Sequence, residues 1–173
     1  MNVTALSNSS KTIRGTSEQV EGSSDRLRKI WERDVVLRDG DVSEARKLLA
    51  DIDEMIPGLD RFAAKLNAIL RPADQNEIAE HLMAIRLNFH NSKATGEGYG
   101  RIMTDRVEAK RPSFAALEWA TRDIIDRRKF MPVTAEVLEA LDDAQRRVNV
   151  VCDIVATLPG RRARLAQRLV EAS

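Results

Sequence analysis

Residues 134–158, TAEVLEALDDAQRRVNVVCDIVATL, place apolar side chains at Val137, Leu141, Ala144, Val148, Val151, Val155 and Leu158. The spacings alternate four and three over three heptads, which is the seam of a long helix packed on other helices. Pro159-Gly160 follows at once. A proline removes a backbone donor and crowds the preceding turn, so the sequence predicts a long helix over 134–158 and a separate short basic helix over 160–173. The seam can pack on helices of the same chain or pair with its copy in a second chain as a homodimer, and spacing leaves both open.

Upstream of the seam lies Arg128-Lys129-Phe130-Met131-Pro132-Val133. The proline ring excludes a helical conformation for Met131, so the preceding helix must stop and the chain must turn. The expected arrangement is a helix–elbow–helix in which Phe130 plugs the corner, Pro132 fixes the turn, Thr134 caps the next helix, and Glu136 faces its dipole.

The same three/four periodicity recurs toward the N-terminus. Leu27, Ile30, Trp31 and Val35 form one stripe, ended by Asp39-Gly40-Asp41; Val42, Ala45, Leu49, Ile52 and Ile56 form another, continued beyond Pro57-Gly58 by Leu59, Phe62, Leu66 and Ile69. These predict a helical hairpin over 24–70. A helix opening near Pro72 aligns Ile78, Leu82, Ile85 and Phe89, a flexible loop spans 91–98, and Tyr99, Ile102, Met103 and Val107 start a short helix stopped near Pro112. Ser113 then caps a helix carrying Phe114, Leu117, Thr121, Ile124 and Ile125. With the seam, 72–158 forms a helical core. Residues 1–23 are rich in Ser, Thr, Asn and Gly without a sustained apolar period, and are expected to be a disordered tail.

Composition agrees with an all-α protein built as a multi-helix bundle. In 173 residues, 32% are charged and only 4% aromatic, so strands are not expected. The net charge of +1 conceals a basic C-terminal excess, nine Lys/Arg against six Asp/Glu over 127–173. A single cysteine, Cys152, excludes an intrachain disulfide and no CxxC spacing offers a zinc site, so a reducing cytoplasm is expected. No apolar run approaches the ~18 residues that a membrane span needs.

Catalytic and metal chemistry find little support in the residue pattern, and neither a catalytic residue, a metal nor a cofactor is expected. Glu77 and His81 lie four apart and read as a surface-helix pair, since no second pair completes a metal site. His90 reads as a helix-end cap and Cys152 as a buried structural thiol. The TGEGYG stretch lacks the Lys-Ser/Thr of a phosphate loop. Two features invite a binding role. Trp119 points away from the buried stripe of its helix, so it is either packed on another helix or a partner-binding anchor, with Arg122 and Asp126 as its polar rim. Arg161, Arg162, Arg164 and Arg168 stand without an acid until Glu171 and form either a solvated face or a weak, sequence-independent DNA contact.

The order and spacing over about 72–141 resemble the helical N-terminal domain of phage replicative helicase loaders and inhibitors and related small phage replication proteins. The residues that carry the likeness are Phe89, Tyr99, the SFAALEWATRDII helix, and Phe130-x-Pro132-x-x-Ala135-Glu136-Val137. That family usually has Thr or Ser directly after the proline and an acid three residues later. Here Val133 follows Pro132, and Glu136 lies two residues after Thr134. The resemblance implies a non-enzymatic DNA-replication adaptor, of phage or prophage type, that binds a replicative helicase or initiator. A self-associating helical protein is the alternative.

Overall fold

A computed structural model describes residues 3–36, 42–89 and 97–172, which form an all-α protein of six helices. These are α1 (Val3–Val36), α2 (Val42–Ile69), α3 (Gln75–Asn88), α4 (Glu97–Lys110), α5 (Phe114–Arg127) and α6 (Thr134–Glu171). They divide into two units, one of residues 1–67 and 149–173, the other of residues 68–148, and α6 contributes a segment to each.

In the first unit, α1 and α2 run antiparallel. Gln19 meets Lys65, Arg26 meets Glu54 and Arg33 meets Asp51, so rising numbers on one helix face falling numbers on the other. Exposed pairs of this kind contribute ~0–1 kcal/mol each. Most of the stabilisation comes instead from the apolar cluster of Leu27, Ile30, Leu48, Ile52, Leu59, Ile154, Leu158 and Leu165, drawn from α1, α2 and α6.

Where a tail over 1–23 is expected, residues 3–23 belong to helix α1, and residues 1 and 2 lie outside the described residues. Ser17, Val20, Ser24, Leu27 and Ile30 are all buried, and their spacing is that of a helix seam. Two of the five are serines, and that hid the stripe. Ser24 Oγ donates to the Val20 carbonyl at 2.6 Å, which satisfies the hydroxyl within its own helix. The expected stop at Asp39-Gly40-Asp41 lies outside the described residues.

The break at Pro159-Gly160 is also corrected: α6 is continuous over 38 residues, and no separate helix over 160–173 exists. Pro159 is exposed while Leu158 before it and Leu165 after it are buried, so the carbonyl it leaves without a donor lies on the wet side of the helix. Pro57 sits inside α2 in the same way.

In the second unit, α3 packs on α4 and α5. A short antiparallel bridge joins the segments that enter α3 and α5: Ala73 N–H donates to Pro112 O and Phe114 N–H to Arg71 O, each at 2.9 Å. The helix expected to open near Pro72 therefore starts three residues later, after Asp74, whose side chain accepts from Glu77 N–H while Glu77 accepts from Asp74 N–H, a complete capping box. Ser113 caps α5 as expected, accepting from Ala116 N–H at 3.2 Å. Arg111, at the end of α4, has φ +47°, a left-handed helix stop directly before Pro112. Every residue from 113 to 121 is buried, so the first two turns of α5 are enclosed on all sides rather than along one stripe.

The elbow exists, but its plug is different. Phe130 is 83% exposed and Pro132 is fully buried. Val133, not Thr134, stands before the first helical residue: Val137 N–H donates to Val133 O, and Glu136 Oε2 accepts from Val133 N–H at 2.9 Å. Thr134 is thus the first residue of α6 and does not cap it. The acid lies three residues after the residue that caps, so the reciprocal half of a capping box is present without its Ser or Thr.

Ile154→Ala should cost ~2–5 kcal/mol, because the side chain is wholly enclosed in the first unit's cluster. Urea unfolding with an unchanged slope checks this, and a loss below ~1 kcal/mol would contradict the packing.

Candidate functional site

The densest group of polar side chains lies inside the second unit. Arg71 makes a two-pronged ion pair with Glu77 and also covers the Phe114 ring, 5.2 Å from its centroid. One turn further along α3, His81 meets the edge of Phe114 at 6.0 Å. Its Nδ1 is 3.1 Å from Thr121 Oγ1, and its Nε2 is 3.3 Å from Glu118 Oε2. The other oxygen of Glu118 faces Arg122 at 3.3 Å. Glu77, His81, Glu118 and Thr121 are each less than a tenth exposed. The pair expected on a helix surface is therefore buried, because His81 sits beside the Ile78/Leu82/Ile85 stripe and α5 offers it two polar partners.

Burial by itself would raise the Glu77 carboxyl. Hydrogen bonds from Arg71 and the Asp74 N–H, with the charges of Arg71 and His81, outweigh it and hold Glu77 below the ordinary carboxylate value. The Arg71 guanidinium is raised by the same hydrogen bond, against a smaller opposing effect of burial. A carboxylate–imidazole pair this enclosed presents no face to a substrate. Among the described residues no group of three or more His, Cys, Asp or Glu could hold a metal.

Of the two readings of Trp119, packing within the chain holds and the partner-binding anchor does not: it is only 2% exposed and belongs to the core. The Arg147 guanidinium covers its ring at 5.6 Å and pairs with Asp123 at 2.6 Å, while Trp119 Nε1 finds no acceptor among the described residues. Arg122 is turned inward to Glu118, and only Asp126 of that proposed trio is exposed. At the elbow, Glu136 also pairs with Arg128 at 2.7 Å, which braces the turn that carries Phe130 and the 58% exposed Val133.

The four C-terminal arginines are divided. Arg161 lies over the Trp31 ring and Arg162 pairs with Asp53, so both serve the packing of α6 on α1 and α2. Arg164 and Arg168 are exposed. Cys152 is half-buried rather than fully so, and burial, with adjacent Asp153, pushes its thiol above the ordinary value, which leaves little thiolate for nucleophilic chemistry. The seam is consumed within the chain: Val137, Leu141, Ala144, Val148, Val151 and Leu158 are buried, which removes 137–158 as a homodimer surface. His90 and residues 91–96 of the expected loop lie outside the described residues, while Glu97 and Gly98 already belong to α4.

Glu118 and Thr121 were missed as partners of His81. The available signal was their i,i+3 spacing, which places an acid and a hydroxyl on one face of α5. Comparisons with family models, with curated proteins and with solved structures give no match to this chain. No helix among the described residues is long and apolar enough to cross a membrane.

Glu77 binds its proton less readily folded than unfolded, so its contribution is complete above the unfolded value of ~4.3 and is lost as pH falls through the lower folded value. Glu77→Gln should cost ~1–2 kcal/mol at pH 7 and flatten the acid limb of a stability–pH curve. With two exposed arginines rather than four, any DNA affinity should fall with salt at a log–log slope of about −2. A slope near about −4 in a fluorescence titration would show that Arg161 and Arg162 leave their partners.

Proposed function

We propose that the chain is a non-enzymatic adaptor of DNA replication, similar to helicase loaders and inhibitors, that binds a replicative helicase or initiator through its elbow. The likeness over 72–141 suggests the class, and one observation carries the surface: an almost fully exposed aromatic side chain, Phe130, on a turn braced from both sides. Pro132 anchors the turn in the core, the Arg128–Glu136 pair closes it, and Phe130 and Val133 are left outside. An aromatic group presented on a rigid element loses little entropy on binding and is a common hot spot. Lys129 and Arg127, both exposed, supply a basic rim suited to an acidic partner surface.

Self-association is a second reading, favoured by Met83 (50% exposed) and Leu87 (65%), one turn apart on the outer face of α3. It would use α3 and not the buried α6 seam.

Titration of wild type and Phe130→Ala against the host replicative helicase tests the proposal. The variant should unfold within ~0.5 kcal/mol of wild type, since the ring is exposed, and lose ~2–4 kcal/mol of binding. Unchanged affinity removes the elbow from the interface. Absence of wild-type binding, with a dimer in sedimentation that Leu87→Glu dissociates, supports the second reading.

A further inference from the structure

The polar atoms around His81 suit a ring that carries a proton on both nitrogens. Thr121 Oγ1 donates to the Leu117 carbonyl at 2.8 Å; with its proton there, the hydroxyl accepts from His81 Nδ1 at 3.1 Å, and Nδ1 carries hydrogen. A neutral ring protonated at Nδ1 has a bare lone pair on Nε2. That lone pair would lie 3.3 Å from Glu118 Oε2, a second acceptor, inside the core, a charge contact that falls outside hydrogen-bond geometry. Two acceptors at that distance repel in a medium of low dielectric. One further proton on the ring turns the repulsion into an ion pair.

We propose that His81 is held as an imidazolium by Glu118 in the folded chain at neutral pH, a proton-linked lock between α3 and α5.

The surrounding charges agree with a cation at this point. Glu77 lies one turn before His81 on α3, neutralised in part by Arg71, and Glu118 on α5 is shared with Arg122. From α4, Glu108 reaches Gln75 at the start of α3, and from α6, Arg147 is committed to Asp123 and the Trp119 ring. The two carboxylates that flank the imidazole are each paired with an arginine, Glu77 with Arg71 and Glu118 with Arg122. Losing the proton would force the tautomer to switch and the Thr121 hydroxyl to leave Leu117 O and turn to Nδ1.

The lock has a defined sign. An unfolded histidine releases its proton near pH ~6.5. If the folded chain keeps it to higher pH, the contribution is complete below ~6.5 and disappears as pH rises, and the unfolding constant grows up to about tenfold per pH unit across that interval. The chain has only two histidines, so the imidazole signals are readily assigned by comparison with His90→Gln. In ¹H–¹⁵N spectra of the wild-type protein at pH 7, both ring nitrogens of His81 should be protonated, and Glu118→Gln should move its proton release to lower pH and flatten the alkaline limb of stability. A neutral His81 ring in the folded wild type at pH 7 would overturn the proposal by itself, whether or not the variant folds.

Discussion

The constraint on which the structure depends is burial of one apolar seam along α6. It supplies Val137, Leu141, Ala144 and Val148 to the second unit and Val151, Ile154, Leu158 and Leu165 to the first. Magnitudes show why the helix runs through Pro159. A proline inside a helix costs ~3 kcal/mol, whereas burying a leucine side chain gains about 1.5–3 kcal/mol. Ending the helix at Leu158 would surrender Leu165, the Arg161–Trp31 stack and the Arg162–Asp53 pair together. Together they are of the size of the proline's cost and offset it, which is consistent with the helix continuing.

Periodicity makes the helical class and most of the α2, α5 and α6 seam residues legible in the amino-acid order alone. The misreadings share a physical origin, the assumption that a helix buries one stripe of large apolar groups. α1 breaks it with buried serines, which a hydrophobicity pattern scores as solvent-facing. α5 breaks it by being enclosed all round in its first two turns: Ala115, Ala116 and Ala120 let neighbouring backbones approach, and the side facing away from the main stripe becomes a second interior in which Trp119 sits. Phe130 is a different case. Both it and Pro132 are apolar, and which one points inward depends on turn dihedrals that the residue order does not specify.

The polar network of α3 was illegible for a further reason: the helix is partly inverted. Glu77 and His81 face the core, while Met83 and Leu87 face outward. Turning α3 about its axis would bury the methionine and leucine but expose Ile78 and Ile85, so the hydrophobic effect does not by itself select the rotation. The observed rotation is held by burial of Ile78 and Ile85 together with directional bonds. Arg71 fixes Glu77, the capping box fixes the first turn, and Thr121 with Glu118 fix His81. Each such bond contributes about 0.5–1.5 kcal/mol when made, and more is lost when one buried partner is left without the other. The network therefore acts chiefly by penalising every other rotation of α3, and its consequence is a helix that keeps an apolar face outside. The two apolar surfaces in the second unit, the α3 face and the elbow, are thus both maintained by charged contacts: His81–Glu118 and Arg71–Glu77 for the first, Arg128–Glu136 for the second.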